Sequence, residues 1–109
     1  MKFNEYQTVA SRYAIYPEDK SVEYLSLGLA SEAGEVCSKV KKCLRDLEGD
    51  FTIPDVCEAI ALELGDALWY ISELARRTGM SLDAIAAMNL MKLKDRADRN
   101  ALSGSGDHR

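Results

Sequence analysis

Residues 56–74 read VCEAIALELGDALWYISEL, and residues 25–40 read LSLGLASEAGEVCSKV. In both stretches apolar side chains recur at spacings of three and four, which is the period of an amphipathic helix rather than of a strand. The later stretch has a stripe of Val56, Ile60, Leu64, Ile71 and Leu74. The earlier one has Leu25, Leu29, Val36 and Val40, continued by Leu47. Aromatic and β-branched residues nowhere alternate over a strand's length, so the chain is predicted to be all-α and four-helix bundle-like.

Working outward, the punctuation predicts four helices. The first runs from Asn4, read as an N-cap with Gln7 three residues on, to about Ala14, before Pro17 and the polar Glu18-Asp19-Lys20. The second spans Ser21 to about Leu47 and stops before Gly49. The third follows Pro54, a favoured first-turn residue, and ends at Arg77 with Gly79 just beyond. Ser81 caps the fourth, which reaches about Ala101. Residues 1–102 are thus read as one domain, and residues 103–109, Ser-Gly-Ser-Gly-Asp-His-Arg, as a flexible Gly/Ser tail.

Composition narrows the function. With 109 residues, 47% of them hydrophobic, and a net charge of −4, the chain lacks the basic footprint that a nucleic-acid polymer or an anionic membrane requires. Any phosphate-bearing ligand is therefore small or bridged by cations. Cys37, Cys43 and Cys57 are odd in number and contain no Cys-x-x-Cys pair, and no signal peptide or membrane-length apolar run is visible. They read as reduced thiols of a cytoplasmic protein. The single histidine, His108, sits near the end of the tail, which speaks against zinc and against a ferritin-like di-iron site built on Glu-x-x-His.

Two segments share one shape, Glu32-Ala33-Gly34-Glu35 and Glu63-Leu64-Gly65-Asp66. Acids three apart project from one face of a helix. A glycine inside a helix costs about 1 kcal/mol relative to alanine, so its presence in both segments predicts close helix approach there. At about 100° per residue, each acid pair flanks its apolar stripe, and two antiparallel helices packed on those stripes bring four carboxylates together. Such a cluster repels itself unless a cation is present, and all-oxygen donors select a hard ion. The alternative from another class is a non-enzymatic helical interaction module, with the acids as surface charge and Trp69 as the anchor for a partner.

The pattern Glu32-x-x-Glu35, a spacer of residues 36–62, and Glu63-x-x-Asp66 resembles the signature of the MazG-like nucleoside triphosphate pyrophosphohydrolases. The segments Asn4-Glu5-Tyr6-Gln7, Gly28 to Val36, Glu63 to Tyr70, Asn89 to Leu93 and the tail are also similar to that family. The resemblance implies an all-α MazG-type fold and a nucleotide-pool house-cleaning reaction, NTP plus water giving NMP and pyrophosphate. It further implies that Glu32, Glu35, Glu63 and Asp66 bind Mg²⁺, with Mn²⁺ as a substitute. Either Glu32 or Glu35 would orient or deprotonate the attacking water. Members typically form dimers or tetramers with their sites near subunit contacts.

Further residues suit the same chemistry. Asn89, Lys92 and Arg96 lie on one side of the fourth helix and match a phosphate chain, or else a solvated face paired with Asp95 and Asp98. Lys39, one turn past Glu35, is a second phosphate candidate or an ordinary ion-pair partner of Glu35. Tyr70, one turn past Asp66, is placed to hydrogen-bond a phosphate, an acid or the sugar, or else to pack in the core with its hydroxyl at the rim. Leu62 and Trp69, seven apart, are read as a second apolar face buried between subunits, with base stacking as the alternative for Trp69. The composition of the tail reads as plain disorder, whereas its family-like ending implies a segment whose glycines and Arg109 would close over a bound triphosphate.

Overall fold

The computed structural model describes residues 1–108, and all regular structure among them is helical. Helix α1 spans Phe3–Ala10, α2 Ser21–Asp46, α3 Pro54–Arg77 and α4 Leu82–Asp98, with short 3₁₀ turns at Ser11–Tyr13 and Glu18–Lys20. Sequence punctuation sets most of these ends. Pro54 opens α3 in its first turn. At the other end Gly79 takes a φ of 79°, which lets its amide reach Arg76 O at 3.2 Å and that of Met80 reach Ala75 O at 2.8 Å. That pair of bonds is a Schellman stop. Ser81 caps α4 as expected, its hydroxyl accepting from the Ala84 amide at 3.1 Å.

The first helix departs from expectation. It begins at Phe3, after Lys2 in the capping position, and gives way at Ser11 to a 3₁₀ turn. Asn4 does not cap its own helix. Its Oδ1 accepts from the Asp83 amide at 3.1 Å, so it serves the first turn of α4, 79 residues away. Gln7 is the matching tie. Its amide nitrogen donates to Ser72 O at 3.3 Å and Met80 O at 3.0 Å, and its Oε1 accepts from the Leu82 amide at 3.1 Å. One buried side chain thereby joins α1 to the end of α3 and the start of α4.

Helices α2 and α3 form an antiparallel hairpin, joined by residues 47–53, and α1 lies against α3 and α4. Leu25, Cys43, Val56, Ala75 and Leu82 are buried. Behind them Glu73, with no exposed surface, accepts from Tyr16 Oη at 2.7 Å and from the Arg76 guanidinium at 2.8 and 3.0 Å. Burial pushes the Glu73 carboxyl up, but those hydrogen bonds outweigh it and hold the group below its ordinary range. Arg77 stacks over the Tyr16 ring at 5.1 Å and pairs with Glu18 at 2.6 Å, which fastens the segment between α1 and α2.

The predicted stripes are only partly inside. Leu47, Leu64, Ile71 and Leu93 are exposed, Leu64 by 54%. The chain's 7,750 Å² of accessible surface exceeds the roughly 6,000 Å² of a compact monomer of this mass. Its radius of gyration of 16.7 Å likewise exceeds the expected value of about 13 Å. Four helices are present, but within one chain they do not close around a single core. The two motif glycines follow suit: a Cβ added at Gly34 or Gly65 would meet nothing within 4 Å. The expected close approach at those positions is therefore absent within the chain. It occurs instead at Gly28. Among the described residues no helix is long and apolar enough to cross a membrane.

Candidate metal centre

The hairpin register builds the site. Glu32 on α2 comes level with Asp66 on α3, and Glu63 stands one turn along. Carboxylate oxygens of Glu32, Glu63 and Asp66 all lie within 4.8 Å of one another. Glu35 is not part of that group. It is exposed on the next turn of α2, and its charge still reaches Glu32. Burial first, then the charges of Asp66, Glu63 and Glu35 and a hydrogen bond with Glu63, push the Glu32 carboxyl above its ordinary range. A hard divalent cation among these oxygens relieves each of those penalties except burial itself.

Lys39 brings a cation to the rim, with Nζ 3.9 Å from Glu63 Oε1. It thus pairs across the hairpin rather than with Glu35 on its own helix. Tyr70 is half-buried beside the acids. Its phenol is raised by burial first, then by Tyr24, Glu32 and Asp66. Two more phenols belong to the surroundings and escaped the sequence reading. Tyr6 of α1 is raised by burial and by Asp66, and Tyr24 adds to the upward push on the Tyr70 phenol. Tyr24, Gly28 and Glu32 are spaced by four, so extending the acid face of α2 by two turns would have found Tyr24. Tyr6 carries no such signal, because its approach depends on how α1 crosses α3.

The α4 residues lie elsewhere. Lys92 Nζ bonds Asp107 at 2.9 Å, and the Arg96 guanidinium donates to the carbonyls of Gly106 and Asp107, both at 3.1 Å. Asn89 is exposed beside a shallow depression shared with Met80, Ile85, Met88 and Lys92. Among the described residues none of the three bonds or ion-pairs with an acid of the cluster. The tail folds back onto α4 as far as it is described, and Arg109 lies outside the described residues.

Leu62 and Trp69 are also separated. Leu62 is 65% exposed, whereas Trp69 is half-buried within the chain, its indole donating to Ala10 O at 3.1 Å. Trp69 packs edge-on against Tyr70 at 5.1 Å and Tyr16 at 6.3 Å. The two residues do not form one outward face. Of the cysteines, Cys43 is buried and Cys37 and Cys57 are exposed, and all three are free.

Comparison with known proteins identifies the family. The MazG nucleotide pyrophosphohydrolase domain matches residues 20–100, which include all four acids. The chain is 42% identical over 115 aligned residues to the Gene 37 protein of Mycobacterium phage L5, with the whole of both chains covered. No solved structure matches it. The acid-bearing helical hairpin and the extent of the family match lead to one conclusion: the chain belongs to the MazG nucleotide pyrophosphohydrolase family.

Proposed function

We propose that the chain hydrolyses nucleoside triphosphates, converting (d)NTP and water to (d)NMP and pyrophosphate with Mg²⁺ held by Glu32, Glu63 and Asp66. The observation that carries this reading is the convergence of those three carboxylates within 4.8 Å on adjacent helices. The donor set fits the ion, being all oxygen and anionic, with Mn²⁺ an acceptable substitute. When bound, such an ion neutralises phosphate charge and lowers the pKa of a water. A role in clearing unwanted nucleotides from the cytoplasmic pool is consistent with the family.

The chain's own residues divide the remaining work. Glu32 is engaged by its neighbours, which leaves Glu35, outside the triad, to orient the attacking water. Lys39 exchanges Glu63 for a phosphate oxygen as substrate arrives, and the Tyr70 phenol donates at the rim. Lys92 and Arg96 would join only by exchanging Asp107 for phosphate. Self-association as a dimer or tetramer is part of the proposal. Its support is the surplus surface and the exposed Leu27, Leu44, Leu62, Leu64 and Ile71 along the α2–α3 hairpin.

The test is a panel of normal and modified (d)NTPs incubated with the protein and Mg²⁺, with products resolved by anion-exchange chromatography. Equal yields of monophosphate and pyrophosphate support the reading. Diphosphate with inorganic phosphate, or no turnover of any nucleotide, contradicts it.

A further inference from the structure

Gly28 lies in the interior of α2, where a glycine weakens the helix and no left-handed turn calls for one. What requires it is a ring. A Cβ at position 28 would stand 2.1 Å from Tyr70 Cε1 and 2.5 Å from both Cδ1 and Cζ, far inside any tolerable contact. Tyr70 is therefore seated in the space that the missing side chain leaves against the α2 backbone. The ring has little freedom to withdraw. Trp69 closes on it edge-on at 5.1 Å and is itself tied to Ala10 O.

The level of this contact matters. Gly28 precedes Glu32 by one turn on α2, and Tyr70 follows Asp66 by one turn on α3, so the contact sits directly beside the acids on both helices at once. We infer that the Gly28–Tyr70 interlock positions the metal centre, fixing the separation of α2 and α3 so that Glu32 meets Glu63 and Asp66. The inference rests on the proposed role of the acids as metal ligands and adds the device that spaces them. A methyl group at position 28 forces either the ring out or the helices apart. Ligand oxygens grouped within 4.8 Å lose their common focus when one helix moves by a fraction of that distance. Tyr70 acts here as a positioning residue through its ring, separately from any bond its phenol makes to substrate.

The test measures Mn²⁺ affinity of the protein without nucleotide, by electron paramagnetic resonance of the free ion, alongside far-ultraviolet circular dichroism. Gly28→Ala should bind Mn²⁺ at least about tenfold more weakly with its helix content intact, because support outside the ligand set typically governs affinity by about 10- to 100-fold. Tyr70→Phe keeps the ring and should stay within about twofold of the parent. Gly28→Ala combined with Tyr70→Ala removes the clash and should bind more tightly than Gly28→Ala alone, a non-additive rescue that a general loss of stability does not give. Should Gly28→Ala fail to fold, Tyr70→Leu takes its place and should weaken Mn²⁺ at least about fivefold. Parent-like affinity in Gly28→Ala or Tyr70→Leu, or an additive double variant, overturns the interlock while leaving the metal centre standing. A parent protein that binds no Mn²⁺ overturns the metal centre and the interlock together.

Discussion

Lys39 holds its ammonium 3.9 Å from the Glu63 carboxylate on the facing helix, although Glu35 lies one turn before it on its own. The pair is partly exposed, so its strength is that of a screened surface pair, worth about 1 kcal/mol or less. Its position gives it two opposing effects. It competes with a metal ion for Glu63 and attracts a phosphate. Lys39→Gln should therefore tighten Mg²⁺ binding without nucleotide by roughly two- to fivefold while raising KM for the triphosphate. Isothermal titration and steady-state kinetics on one preparation separate the two. Metal binding and KM that both stay at parent values would remove Lys39 from the site.

The pH dependence of stability follows from two carboxylates of opposite sign. The Glu32 carboxyl is raised in the folded protein, so the native state holds its proton into a range where the unfolded chain has released it. Its contribution is fully present below the ordinary carboxylate pKa and is lost as pH rises through the raised value. Glu73 is depressed, so its contribution is present above the ordinary pKa and disappears as pH falls through the folded value. Metal binding needs Glu32 ionised. The rise in melting temperature on adding Mg²⁺ should therefore be larger at pH 8 than at pH 5. An Mg²⁺ shift independent of pH would count against Glu32 as a ligand.

Gln7 predicts a stability effect far from the acids. Gln7→Leu deprives the buried Leu82 amide of its acceptor and the Ser72 and part-buried Met80 carbonyls of the Gln7 donor. An abandoned buried polar group costs about 1–3 kcal/mol, so a loss of about 3 kcal/mol is expected in urea unfolding. Mg²⁺ affinity, measured where the variant is folded, should be unchanged. A loss below about 0.5 kcal/mol would mean the three groups find other partners.

Helix number and type were legible because the apolar period is strong in α2 and α3 and because Pro54, Gly79 and Ser81 sit where the chain stops and starts. The convergence of Glu32, Glu63 and Asp66 was legible for the same reason, since helical spacing puts each pair on one face. What the sequence concealed was tertiary. Asn4 looks like a local cap, and only the crossing of α1 over the start of α4 makes it a cap for a distant helix. Gly34 and Gly65 look like contact glycines, yet of the three glycines inside α2 and α3 only Gly28 meets a neighbour. Trp69 looks like an outward anchor by its seven-residue spacing from Leu62, but the N-terminal segment folds over it and takes its indole hydrogen. Periodicity names a face of a helix; it does not say what covers that face.

Assembly offers a sharper use of the same distinction. Leu64 is 54% exposed on α3 beside the acids, while Trp69 is occupied inside the chain. Leu64→Glu should reduce the particle mass in light scattering with the helices retained, because an unpaired charge in an apolar contact costs several kcal/mol, roughly 3–5. Trp69→Phe should instead lower the melting temperature without changing the mass, having lost the bond to Ala10 and part of the ring packed on Tyr16 and Tyr70. A monomeric parent would remove self-association from the account.

The central claim is that converging carboxylates hold the divalent cation on which turnover depends. Its most direct measurement is pyrophosphate release by Glu63→Gln beside the parent, with the Mg²⁺-induced melting shift recorded on both proteins. A metal-ligand contact is worth several kcal/mol in the transition state, so turnover should fall by at least about 100-fold. The melting shift should vanish with it, while the metal-free variant, relieved of one repelling charge, is at least as stable as the metal-free parent. A Glu63→Gln protein that releases pyrophosphate at the parent's rate would contradict the account.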